Sequence, residues 1–188
     1  MFKTFKSTYS LYIILGLSLI ANSLEAQNCS TDPLANASTP ASRFIDHGNG
    51  TVTDNKTGLM WQKCADGQYG ALCDQGSPAT YTWQNALQRA KSLNSTSGFA
   101  NYADWRMPNI KELYSLVEIT CAEPAINLAI FPSTINGLED HYWSSTPMIY
   151  TNYGQHSRTV TFYDGSTDSR YKTENGLLRL VREPLPEL

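Results

Sequence analysis

Histidine and formal charge are both scarce in this chain of 188 residues: it holds 3 His, 16% of its residues are Asp, Glu, Lys or Arg, and the net charge is −3. A nucleic-acid binder carries a concentrated basic face, and a pI near 5.6 argues against that class. Long apolar runs are missing too. The longest, residues 11–20, is shorter than the roughly 20 residues that a membrane-spanning helix needs. There is no Gly-x-Ser-x-Gly elbow, no phosphate-cradling glycine loop and no His-Glu-x-x-His helix, which removes the most recognisable hydrolase, nucleotide and zinc-protease signatures. No two of the 4 cysteines stand two to four residues apart, so a zinc-finger ligand set is excluded. No internal repeat is visible. Neither a metal nor a cofactor is expected.

What is present is a chain with 41% apolar residues, long enough for one domain with a proper core. Its 11 Tyr and 4 Trp accompany abundant Asn, Ser and Thr, a surface suited to stacking and hydrogen bonding rather than to electrostatic steering. Lys3 and Lys6, the apolar stretch 11–20 and the small-residue site Leu24-Glu25-Ala26 read as a secretory leader over residues 1–26. Without a second hydrophobic segment, the product after cleavage is expected not to span a membrane. Its expected location is the periplasm, the cell surface or the medium.

Export makes Cys29, Cys64, Cys73 and Cys121 disulfide candidates. Four cysteines allow three pairings. The segment between Cys64 and Cys73 holds Gly67 and Gly70 and turns back easily, which favours Cys64–Cys73. Cys29–Cys121 follows by elimination and would pin the N-terminal tail to the core.

Residues 27–42 read as a linker rich in Ser, Thr, Ala, Asn and Pro, residues 43–183 as the domain and 184–188 as a Pro-rich tail. Strands are expected at Thr51–Thr53 and Leu59–Gln62, after turns at Asp46–Gly50 and Asp54–Gly58. Thr82 can cap a helix over Trp83–Asn94 with Trp83, Leu87, Ala90 and Leu93 inward and Arg89 outward. Asn109 with Glu112 approximates a capping box for a second helix, whose inward stripe is Ile110, Leu113, Leu116 and Val117. Later strands are expected at His141–Ser145, Thr159–Tyr163 and Leu177–Val181, with Val160 and Phe162 inward and Thr159, Thr161 and Tyr163 outward. Strands, two helices, then strands, with no βαβ repeat, predict a single α+β domain with an antiparallel sheet. Trp61, Trp83 and Trp143 read as core, and Asp104 and Arg106 as a pair holding the start of the second helix.

The candidate binding surface is the late loops. Tyr150, Asn152, Tyr153, Gln155, His156 and Arg158 lie in one, and Asp164, Asp168, Arg170, Tyr171 and Lys172 in the other. Tyrosine supplies contact area at low entropy cost, and amides and hydroxyls supply adaptable hydrogen bonds. No catalytic residue is assigned. The function expected is non-enzymatic recognition or adhesion, with a glycan or a surface protein as partner and homo-oligomerisation left open. Two rivals are a periplasmic hydrolase using Asp164, Asp168 or His156, and a structural subunit of an envelope or fimbrial assembly.

A set of short motifs runs in order along the chain: Gly48-Asn49-Gly50-Thr51-Val52-Thr53-Asp54, Thr57-Gly58-Leu59-Met60-Trp61, Thr82-Trp83, Asp104-Trp105-Arg106-Met107-Pro108-Asn109, Pro124-Ala125-Ile126-Asn127, Phe131-Pro132, Tyr142-Trp143-Ser144-Ser145 and Leu180-Val181-Arg182. Together they resemble the bacterial domain family named after the C-terminal domain of the collagen-like adhesin Lcl. The resemblance implies a C-type-lectin-like fold and an exported binding domain. In the Lcl adhesin that domain binds sulfated glycosaminoglycans as a trimer. The calcium-dependent sugar motif of true C-type lectins is absent, because Ala125 follows Glu123-Pro124, so calcium-mediated sugar binding is not implied.

Overall fold

The computed structural model of the chain describes residues 27–32, 34–149 and 154–183. The leader expected over residues 1–26, Tyr150, Asn152, Tyr153 and the 184–188 tail lie outside the described residues.

In chain order the strands begin with β1 (Asn28–Cys29), β2 (Phe44–Asp46), β3 (Thr51–Asp54), β4 (Leu59–Gln62), β5 (Gln68–Tyr69), β6 (Gln75–Gly76) and β7 (Thr80–Tyr81). The helices α1 (Trp83–Asn94) and α2 (Ile110–Tyr114) follow. The chain closes with β8 (Cys121–Ala122), β9 (Tyr142–Pro147), β10 (His156–Val160), β11 (Thr167–Tyr171), β12 (Gly176–Leu177) and β13 (Val181–Arg182). One sheet of five strands has the order β11-β10-β9-β12-β7, and a second of four has β13-β4-β3-β2. All pairs are antiparallel except β12 against β9. The molecule is therefore α+β with antiparallel sheets and two helices, as the order of patterns predicts.

The local signals act where expected. Thr82 accepts a hydrogen bond from the Asn85 amide and opens α1. The Asn109 side chain accepts from Glu112 N while the Glu112 carboxylate accepts from Asn109 N, closing the capping box. α2 stops after five residues, shorter than its apolar stripe suggests, yet Leu116 and Val117 are buried just beyond it. At the Asp164-Gly165 turn, Gly165 has φ +78° and an added Cβ would meet Val117 at 2.5 Å, so both conformation and space demand glycine.

The core has two parts. One gathers Trp61, Leu113, Phe131, Tyr142 and Phe162, and the other Met60, Ala86, Trp105, Trp143 and Leu178. Trp61, Trp105 and Trp143 are buried. Trp83, read as core, is only partly buried, with the Lys172 ammonium 4.7 Å from its ring centroid.

Long-range pairing corrects several local readings. Leu177–Val181 is not one strand: β12 lies in the first sheet, β13 in the second, and buried Leu178, Arg179 and Leu180 cross between them. Thr159–Tyr163 is a strand only to Val160, since β10 begins at His156 and the chain turns from Phe162. Asp104 does not pair with Arg106. Asp104 accepts from buried Arg182 at 2.6 Å, and Arg106 pairs with Glu112 at 2.8 Å. Arg89 does not simply face solvent, because it grips the buried Asp66 carboxylate at 2.8 and 3.1 Å.

Both disulfides join the expected partners, Cys29–Cys121 and Cys64–Cys73. Part of the stretch read as a linker is tied to the domain: β1 pairs with β8, and Thr39 is buried. Among the described residues no helix is long and apolar enough to cross a membrane.

Candidate functional site

β10 and β11 form a hairpin, and β11 is an edge strand of the larger sheet. Because side chains alternate across a strand, the hairpin splits the expected surface in two. Arg170 stands opposite Ser157 and Asp168 opposite Thr159, so these share one face. His156 pairs with Tyr171, Arg158 with Ser169 and Val160 with Thr167 on the other.

On the second face the His156 and Tyr171 rings lie 3.9 Å apart between centroids, with His156 buried and Tyr171 exposed. Arg158 is half-buried there. Lys172 donates to the Gly154 carbonyl at 2.8 Å, and Gln155, exposed, accepts from the Lys172 amide at 2.7 Å.

On the first face a shallow cavity of about 120 Å³ opens beside Asp164, Asp168 and Arg170. Leu138, His141, Thr159, Thr161, Tyr163 and Ser166 complete its lining. The structure thus gathers three expected residues with six that residue type does not single out. For Thr159, Thr161 and Tyr163 the only signal is the alternation that sets them opposite Val160 and Phe162. Expected outward, Thr159 is nonetheless buried.

The electrostatics of this face are unsettled in a specific way. Arg170 approaches Asp168 at 3.5 Å and Glu139 at 3.6 Å. Neither contact has good hydrogen-bond geometry, and its Nε–H is buried and undonated among the described residues. Asp168 and Glu139 are exposed, so the pairs contribute little to stability. His141 is held below its ordinary 6.5, first by burial and then by the Arg170 charge, against the opposing pull of the Glu139 carbonyl, Glu174 and Asp140. Its Nδ1 lies 3.3 Å from the Glu139 carbonyl, a group that only accepts, so a neutral ring carries its proton there and leaves Nε2 as an acceptor.

The Thr159 hydroxyl is buried with no hydrogen-bond partner among the described residues. An orphaned hydroxyl costs about 1–3 kcal/mol. Thr159→Val is expected to raise stability by about 1 kcal/mol in denaturant titration, and a fall in midpoint would contradict this.

Among the described residues, no group of three or more His, Cys, Asp or Glu side chains is placed to hold a metal ion. The hairpin cavity therefore offers carboxylates, an uncommitted guanidinium and hydroxyls, a set that exchanges hydrogen bonds with a polar ligand. A search of curated proteins finds no match to this chain. The family profile of the Lcl C-terminal domain matches residues 50–182, from the turn before β3 to the end of β13. The chain belongs to the Lcl C-terminal domain family.

Proposed function

We propose that this protein is an exported recognition module that binds a hydroxyl-rich ligand, a glycan chain, along the β10–β11 hairpin. The observation that carries the reading is Arg170, a half-buried guanidinium between two carboxylates and hydrogen-bonded to neither. A sugar hydroxyl can accept from Arg170 and donate to Asp168 or Asp164, which satisfies both charges at once. The cavity admits a substituent rather than a whole ring, since its 120 Å³ is below the range of sites that engulf a ligand. Contact along the exposed edge strand supplies the remaining area, and copies presented together raise a weak single affinity.

The test is a glycan array probed with the purified protein, followed by titration of the best oligosaccharide. Asp168→Asn and Arg170→Gln are each expected to weaken binding about tenfold, the loss of one charge-assisted hydrogen bond, with melting within about 2 °C of the parent. Unchanged affinity in both variants would remove the hairpin face from the site. Turnover of a chromogenic glycoside abolished by Asp164→Asn would instead establish the hydrolase reading.

A further inference from the structure

A second cavity lies away from the hairpin and shares no lining residue with the first. It measures about 440 Å³ and opens between the β2–β3 turn, the end of β4, the Cys64–Cys73 loop and the last turn of α1. Its size falls within the range of small-molecule sites.

The cavity is built rather than incidental. The run 64–71, all within the Cys64–Cys73 loop, forms one wall. Phe99 forms another. Its ring presses on Gly50, where an added Cβ would sit 2.9 Å from the ring edge, and it packs edge-on against Trp105 at 5.7 Å. Leu93 from α1, Phe99 and the exposed Tyr69 give the site an apolar side.

Its charges cancel. Lys63 binds Asp46 at 2.7 Å and Arg89 binds Asp66 at 2.8 Å, so the lining carries no net charge to recruit an ion. Asp66 is buried and already accepts three bonds, two from Arg89 and one from the Tyr81 hydroxyl. Asp46 is more open and less engaged. Among the described residues its carboxylate accepts only from Gly48 N at 2.9 Å and Lys63 at 2.7 Å, and its side chain is 36% exposed. A carboxylate has about four lone-pair sites, so Asp46 can take a further donor.

We infer that this cavity is a second binding site, for an uncharged aromatic small molecule bearing a hydroxyl, its ring against Leu93 and Phe99 and its hydroxyl donating to Asp46. The inference stands apart from the hairpin reading and uses none of its residues. The oxidised loop supplies the wall, so the site is complete only with Cys64–Cys73 closed.

The test titrates the purified protein with 2-naphthol, and in parallel with naphthalene, 2-naphthalenesulfonate and 2-naphthylmethylammonium. Saturable one-to-one binding of 2-naphthol is expected, with the amide resonances of Gly48, Gly50, Gly67 and Gly70 shifting. Naphthalene is expected to bind about fivefold more weakly, the share of one hydrogen bond, and both charged analogues more weakly than 2-naphthol. Ala71→Trp narrows the mouth at an exposed position, and is expected to weaken 2-naphthol about tenfold without moving the melting temperature. The inference is overturned by absence of saturable binding, by equal affinity in Ala71→Trp, or by a charged analogue binding as tightly as 2-naphthol.

Discussion

Glu118→Ala is expected to cost the fold about 3–5 kcal/mol, although Glu118 touches no cation among the described residues. Its carboxylate is buried, with six donor groups within hydrogen-bond reach. Ser38 gives its amide at 3.0 Å and hydroxyl at 3.2 Å, Thr39 its amide at 2.7 Å and hydroxyl at 2.8 Å, and Thr120 its amide at 3.1 Å and hydroxyl at 2.6 Å. Removing the acceptor strands these donors in a closed space, so the full desolvation penalty falls on several groups together. The same network ties residues 38–39 to the segment before β8, next to the Cys29–Cys121 disulfide.

The pH dependence follows from the same geometry. Burial alone would raise this carboxyl, but the donors from Thr120, Ser38 and Thr39 outweigh it and bring it from 4.5 down to about 2. Because the folded value lies below the unfolded one, the contribution is fully present above about pH 4.5 and disappears as pH falls toward 2. It is on the order of 3 kcal/mol. Guanidinium midpoints measured between pH 5 and pH 2 should therefore fall more steeply in the parent protein than in Glu118→Gln. Parallel curves would show that the carboxylate network is not what acid dismantles.

Arg179→Ala is expected to be as damaging, about 4 kcal/mol, because it opens a void and orphans acceptors at once. Arg179 is buried where the chain crosses from the first sheet to the second. Its Nη1 donates to the carbonyls of Gln62, at 3.2 Å, and Lys63, and its Nη2 donates to Thr134 Oγ1 at 3.0 Å. The guanidinium lies 5.0 Å from the Phe131 ring centroid and 5.8 Å from that of Tyr142. Burial lowers its basicity, partly offset by Tyr142. With no carboxylate to neutralise it among the described residues, the charge itself is a burden on the core. Arg179→Met removes that burden, keeps most of the volume and is expected to cost only about 1–2 kcal/mol. Arg179→Lys is expected to fall with alanine, since a point ammonium cannot reach two carbonyls and a hydroxyl in the plane that guanidinium spans. Chemical denaturation of the three variants checks the order, and a methionine variant no more stable than alanine would refute the account.

The candidate site was partly legible in the sequence. Asp164, Asp168 and Arg170 were marked by residue type, and they do share a cavity. Gln155, His156, Arg158, Tyr171 and Lys172 meet the same criterion but do not line it, because residue type carries no information about which face a hairpin presents. His141 and Thr159 were passed over, since one precedes β9 and the other sits within β10, and only the antiparallel pairing brings them to the same cavity. The cavity beside Phe99 had no sequence signal. It is assembled from four segments, and glycine, phenylalanine and a short disulfide loop are each unremarkable alone.

Interactions within a few residues were determined by the sequence itself. The Thr82 and Asn109 caps, the glycine turns and the closure of Cys64 on Cys73 all depend on atoms that backbone geometry keeps near one another. The pairing of charges was decided only by the tertiary structure. Arg182 takes Asp104 across 78 positions, and Arg106 turns instead to Glu112. The crossing of Arg179 between sheets and the placement of both cavities were decided in the same way. A charged side chain has several partners within sequence reach, and strand register, set by the burial of the whole core, selects among them.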